Sequence, residues 1–228
     1  MTNNSNEKDI LALEAMSELK NYNSYTFKLI ADSITSKKVL DFGSGYGVFC
    51  EYLQDKNYDV QGYEINQLAI DESKSRGIEV FSNLLAIKEK YETITSLNVL
   101  EHIEDDEMVI KDMNTLLKDN GRLILYLPNS MKVWTDLDNQ VGHYRRYTKK
   151  DLLSKLERGG FTTLSWEYVD FIGWVVLYLS KLLRINLNYD EKRLVNYDKY
   201  IFKLFKHLDI FFKYFLGKNI LVVCSKKN

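Results

Sequence analysis

Proline and cysteine are scarce in this chain, and neither sign of charge dominates. Among 228 residues there are one proline, Pro128, and two cysteines, Cys50 and Cys224, far apart in sequence. That usage excludes a disulfide framework and reads as a reduced, cytoplasmic protein. The 31 basic and 32 acidic side chains leave a net charge of −1, so the basic face that a nucleic-acid partner requires is not expected. No apolar run reaches the ~18 residues of a membrane-spanning helix, and Met1 to Lys8 is polar, without the apolar centre of a signal peptide. What is present suits one domain with an appended subdomain: 45% hydrophobic and 13% aromatic residues are ample for a core.

The strongest local pattern starts at Val39-Leu40-Asp41-Phe42, a buried strand by its apolar run. Gly43, Gly45 and Gly47 follow at alternate positions, and Val48, Phe49, Tyr52 and Leu53 then recur at helical spacing. Strand, glycine turn and helix open an α/β nucleotide-binding unit. Glycine tolerates positive φ and lets a ligand approach the backbone, and the N–H groups of the helix start face an anionic group. The dinucleotide fingerprint G-x-G-x-x-G would need a glycine at 48, where Val stands. The second strand, Asp59 to Glu64, ends on an acid, and a carboxylate there can accept hydrogen bonds from both ribose hydroxyls. NAD sites use the same device, so Glu64 supports an adenosine ligand without choosing between the two. Ile65 follows it and could flank the adenine.

Asp41 to Gly47 spells D-x-G-x-G-x-G, which resembles the first motif of the class I S-adenosylmethionine (SAM) methyltransferases. Leu100-Glu101-His102-Ile103, leaving a fourth strand that begins at Tyr91, resembles the family's second landmark, D-V-L-E-H-I. Gly142-His143 and Arg145-Arg146-Tyr147-Thr148 match a bacterial subgroup, within the methyltransferase-11/12-like group. The resemblance runs from about residue 21 to residue 224. It implies an α/β, Rossmann-like, seven-stranded mixed sheet with the last strand antiparallel and helices on both faces. It further implies an N-terminal helical lid and a helical insertion before the last strand. The expected divisions are a cap over 1–35, a SAM-binding core over 36–170, an insertion over 171–216 and a final strand over 217–228. SAM contacts are implied for Asp41, Gly43, Ser44, Gly45, Tyr46, Gly47, Glu64, Ile65, Leu84 and Asn98. Asn83 stands where the family often has an acid meeting the adenine amino group. Ubiquinone-biosynthesis O-methyltransferases resemble the Glu101–His102 stretch but carry a further acid where this chain has Asn98, and use the set for a divalent cation. A neutral amide weakens a hard-cation site, so no metal is expected. Glu101 is instead expected to cap the next helix, and His102 to pack against the pocket.

Met131 to Tyr147 has no clean period and lies where open α/β sheets bind ligands. Trp134, His143, Arg145, Arg146 and Tyr147 are the candidate substrate residues, with salt-bridge anchoring of the loop as the alternative for the last three. His143 is the first candidate base; His102 and Tyr144 are the other catalytic candidates. Upstream, a helix is expected over Ile10 to Lys20. Asn21 and Asn23 then read as turn and cap before a second helix ending near Ser33, the alternative being that Tyr22 or Asn23 folds over SAM. In the insertion, Tyr197 to Leu216 reads as one amphipathic helix. Ile201, Leu204, Phe205, Leu208, Phe212 and Phe215 form its apolar face, with Lys203, Lys206 and Lys213 off it. Such a helix covers a core, walls a greasy substrate, forms a homodimer face or makes peripheral membrane contact. The expected activity is methyl transfer from SAM to a small-molecule, sugar or lipid-linked acceptor, at oxygen, by in-line displacement. N-methylation, a non-catalytic SAM-binding sensor or partner subunit, and an NAD-type oxidoreductase stay open.

Overall fold

The computed structural model describes residue 17, residues 19–185 and residues 190–227. Most of the helix expected over Ile10 to Lys20 lies outside these. The central strands are Lys38–Phe42 (β1), Asp59–Tyr63 (β2) and Tyr91–Leu97 (β4), with Val80–Phe81 (β3) at one edge. Leu117–Pro128 (β5), Phe161–Val169 (β6) and Asn219–Lys226 (β7) complete a sheet of order β3-β2-β1-β4-β5-β7-β6. β7 runs antiparallel to both neighbours, and the pairs among β1 to β5 are parallel. Strands buried on both faces read as unbroken apolar runs, which is why Val39-Leu40 and Leu123-Ile124-Leu125 were legible. Successive residues point to opposite faces. Leu40, Leu123 and Leu125 accordingly join one core, with Val109, Ile110 and Met113 of Asp106–Leu116 (α4) and Leu152 and Leu156 of Lys149–Arg158 (α6). Val39, Ile124 and Tyr126 join the other, with Phe27 and Ile30 of Lys20–Asp32 (α1) and Phe49 and Leu53 of Val48–Gln54 (α2).

The strand order reverses at β1, whose neighbours are β2 on one side and β4 on the other. Such a switch point leaves a crevice outside the carboxyl ends of the strands. The glycine turn leaves β1 there, and residues 98–102 leave β4 beside it. Two helix starts are capped by side chains from just before them: Asn66 accepts from Leu68 and Ala69 N at the start of Gln67–Ser75 (α3), and Thr148 Oγ1 accepts from Asp151 N to start α6.

Three local expectations fail. Asn21 and Asn23 do not form a turn and cap: α1 already starts at Lys20, and Asn23 is buried on it. Glu101 does not cap the helix after it: it sits in the short turn Leu100–His102, and Asp105 supplies the cap by accepting from Met108 N. The stretch from Tyr197 is not one regular α-helix. It breaks into a wide turn at Tyr197–Phe202, Lys203–Phe205 (α9), a tight turn at Lys206–Leu208 and Asp209–Phe212 (α10). Its buried acids draw it onto the core instead. Asp198 accepts from Asn21 and Tyr22, and Asp209 from the backbones of Asp170 and Phe171 and the Tyr25 hydroxyl. The rest of the insertion is Phe171–Leu182 (α7) and Glu191–Asn196 (α8); the region expected as a loop after β5 holds a short helix, Asp136–Gln140 (α5).

Candidate functional site

A cavity of about 1120 Å³ opens at the switch point. Its walls are the glycine turn, the exits of β2 and β4, α5 with the residues after it, and the inner side of the insertion. On the first wall, Gly43, Gly45 and Gly47 all have positive φ, at 77°, 52° and 75°. A Cβ on Gly43 would lie 2.4 Å from Val99 Cγ2, so the turn can approach the β4 exit only because that position is bare. Ser73 Oγ donates to Gly45 O at 2.8 Å and props the turn from behind.

Two carboxylates flank this turn. Asp41 is 3% exposed; its Oδ1 accepts from Thr95 Oγ1 at 2.7 Å, and Cys50 Sγ lies 3.6 Å from Oδ2. Burial pushes the Asp41 carboxyl up to about 7, against the pull of those two hydrogen bonds. Glu64 Oε2 accepts from Gly45 N at 2.9 Å, and Oε1 accepts from the backbones of Ile65 and Asn66 at 2.7 and 2.9 Å. Glu64 therefore ties the end of β2 to the glycine turn.

The far wall carries ionisable side chains. His143 Nδ1 lies 2.8 Å from Asp138 Oδ1, and Arg146 Nε donates to the same oxygen at 2.7 Å. Asp138 also accepts from Thr135 N at 2.9 Å, which closes the capping box of α5. Burial works against the Asp138 charge, but His143 and Arg146 outweigh it and hold the carboxyl below its usual range. An ionised Asp138 makes Nδ1 the donor, which in the neutral ring assigns the acceptor role to Nε2. Glu101 Oε1 lies 3.9 Å from that Nε2. Glu101 is fully buried and neither carboxylate oxygen has a hydrogen-bond partner among the described residues. Burial pushes its carboxyl up to about 7, partly offset by His143. His102 stacks edge-on against His143, with centroids 4.7 Å apart, and burial pushes its imidazole down to about 4. Glu101, His102 and His143 offer ligand atoms within 4.8 Å of one another, a set able to hold a metal ion.

A family model described as a methyltransferase domain matches residues 15–165. The chain belongs to the methyltransferase domain family. The seven-stranded sheet with its antiparallel β7 is the class I SAM-dependent methyltransferase fold. Among curated relatives, a ubiquinone biosynthesis O-methyltransferase from Histophilus somni is 28% identical over 120 residues, covering 46% of this chain and 50% of that protein. The chain spans about half the length of these curated relatives. A SAM-dependent methyltransferase from Archaeoglobus fulgidus superposes with a TM-score of 0.60 at 18% identity, covering 91% of this chain and 94% of that one. Magnesium protoporphyrin IX methyltransferase from Synechocystis PCC 6803 gives 0.55 at 16% identity, covering 97% and 84%. At these identities the structural likeness shows the fold.

The cavity gathers most of the expected cofactor residues: Asp41, Gly43, Ser44, Gly45, Tyr46, Glu64, Ile65, Leu84, Asn98 and Tyr22 all line it. Gly47 and Asn83 do not. Gly47 caps α2, and Asn83 spends its side-chain oxygen on Leu85 N at 2.8 Å. Tyr22 is fixed in the floor rather than free above it. Its hydroxyl meets the Tyr126 hydroxyl at 2.7 Å and Asn219 Oδ1 at 3.3 Å, and Asn219 Nδ2 donates to Asn98 Oδ1 at 3.3 Å.

The second group divides. His143, His102 and Arg146 line the cavity, whereas Trp134, Tyr144, Arg145 and Tyr147 do not. Arg145 and Tyr147 anchor the loop on Asp106: the guanidinium lies 2.8 Å and the hydroxyl 2.6 Å from its carboxylate. Tyr144 is 57% exposed, and its backbone N–H donates to Glu101 O at 2.7 Å. Sequence reasoning missed Asp138, which sits in a stretch without periodicity. It also missed Lys218, a cavity residue paired with Asp170 at 2.9 Å and placed over the Tyr22 ring. The capping pattern Thr135-x-x-Asp138 is the one signal that could have marked Asp138.

Proposed function

We propose that the enzyme methylates a hydroxyl oxygen of a small-molecule acceptor, with His143 as the general base and Asp138 as the residue that positions it. SAM, when bound, would supply a sulfonium-activated methyl group for in-line transfer to an acceptor oxygen, the O–C bond forming as the C–S bond breaks and S-adenosylhomocysteine leaving. The residues present suit that group. Bare glycine positions leave room at the turn, Asp41 offers a carboxylate to a cationic ligand, and Glu64 offers one to ribose hydroxyls. The cavity, about 1120 Å³, exceeds the roughly 300–1,000 Å³ of an ordinary small-molecule site and leaves space for an acceptor beside the cofactor.

The arrangement that carries the proposal is Asp138–His143, with Nε2 left as an acceptor on the cavity wall. There Nε2 takes the hydroxyl proton as the oxygen attacks, and Asp138 stabilises the imidazolium that forms. A base so placed contributes roughly 10²–10⁴-fold, and alignment on the order of 7–11 kcal/mol. Arg146, with Nη1 unpartnered among the described residues, offers a donor to a second oxygen of the acceptor. The O-methyltransferase name of the curated relatives supports oxygen as the accepting atom.

The test is release of S-adenosylhomocysteine across a panel of phenols, sugars, lipid-linked alcohols and amines. The expected result is turnover with a hydroxyl acceptor, cut roughly 10²–10⁴-fold by His143→Ala with SAM affinity kept, and insensitive to a metal chelator. Turnover on amines alone, or an unaffected His143→Ala enzyme, refutes the assignment. Loss of activity on chelation would instead give Glu101, His102 and His143 to a metal.

A further inference from the structure

We propose that the outer face of the insertion docks on an anionic lipid bilayer, and that the acceptor reaches the cavity from that bilayer past Tyr200 and Ile201. The second half rests on the acceptor reading above; the first stands without it. The insertion is built inside out. Asp198 and Asp209, 3% and 5% exposed, fasten it to the core. Phe202 joins the core and Phe212 stacks on Phe171, but four large apolar side chains are left outside: Leu204 and Ile210 are each 68% exposed, Phe211 71% and Phe215 77%. α7 packs against 197–202 and 206–208 and adds Leu182 and Leu183, each 66% exposed. Single exposed apolar residues are ordinary, but a contiguous group of this size marks an interaction surface.

Charge selects the occupant. The acids of Phe171–Ile185 and Tyr197–Leu216 are the two buried aspartates, while Lys181, Arg184, Lys199, Lys203, Lys206 and Lys213 all reach the surface. Apolar side chains fringed by cations match the boundary between acyl chains and anionic headgroups. A second copy across a two-fold axis would set these cations against themselves. No helix of the described residues is long and apolar enough to cross a membrane, so the face lies on the bilayer rather than spanning it. Tyr200 and Ile201 belong both to this face and to the cavity lining, and Val176, Leu177 and Leu194 continue the apolar wall inward. An acceptor with an apolar tail could slide along that wall while its hydroxyl advances towards His143.

The full chain is tested by sedimentation with phosphatidylcholine vesicles, with and without phosphatidylglycerol, and by its oligomeric state in solution. The expected result is a monomer that sediments with the anionic vesicles alone. Binding should weaken about fivefold for each of Lys199→Ala and Lys203→Ala, and vanish in Phe211→Ser/Phe215→Ser with SAM affinity retained. No preference for anionic vesicles, variants that bind like the parent, or a stable dimer without vesicle binding each overturn the docking. The route is read separately, by calorimetry with a long-chain alkyl phenol. Leu177→Asp, on the inward wall and off the docking face, should abolish its binding while leaving vesicle and SAM binding intact; equal phenol binding by parent and variant overturns the route. Neither readout uses turnover, so a failure of the proposed methyl transfer stays distinguishable.

Discussion

Glu101 is a fully buried carboxyl whose oxygens have no hydrogen-bond partner among the described residues, and Glu101→Gln tests what that costs. Burial lifts its carboxyl from 4.5 to about 7. The difference of about 2.5 units, at ~1.4 kcal/mol per unit, amounts to about 3 kcal/mol. The sign follows from proton binding. Between the two values the folded state holds a proton that the unfolded state has released, so this group's contribution to stability is present below 4.5 and is lost as pH rises through 7. The variant lacks the ionisation but keeps nearly the same shape. Calorimetric melting of both proteins should show near-equal stability at pH 4. The variant should gain through pH 5 to 7 and stay about 3 kcal/mol ahead at pH 8, which for a chain of this size is roughly 6–12 °C. Parallel pH curves would refute the reasoning, because they would mean that Glu101 is hydrated or paired in solution. The gain should come with lost turnover if the carboxylate acts beside His143, since such a cost is tolerated at sites where function needs the charge.

Glu64→Ala should weaken SAM binding in calorimetry, by roughly tenfold or more if charge-assisted bonds to the ribose are lost; equal affinity would contradict the ribose role. Asp41, pushed up to about 7 by burial, must ionise to favour a cationic ligand. SAM affinity should therefore rise up to about tenfold per pH unit below 7 and level off above it, with Asp41→Asn removing the slope. Gly43→Ala would put a Cβ 2.4 Å from Val99 Cγ2 at a φ of 77°. SAM binding should fall and Val99→Ala should restore part of it; an unchanged affinity in Gly43→Ala would refute the close approach.

The glycine turn, Asp41 and the acid ending β2 were determined by the sequence itself, because each is local; the order of strands in the sheet is long-range and entered only through the family resemblance. An apolar run makes a strand, alternate glycines make the turn, and a residue's place at a strand's end puts it at the crevice. The caps Thr148 and Asn66 are local in the same sense: a cap needs only its own next turn. What the tertiary structure alone decided are matters of long-range pairing. Asp138 becomes functional only when the chain folds back to bring His143 and Arg146 onto one oxygen. Arg145 and Tyr147 share the same stretch of sequence but are taken by Asp106 of α4. The sharpest case is the insertion, whose periodicity marked an apolar face but left open what covers it. Two aspartates found backbone and hydroxyl donors on α1 and α7, and satisfying those buried charges turned the apolar residues outward. Hydrophobic spacing reports which residues share a face, but the partners of buried polar groups decide which way that face points.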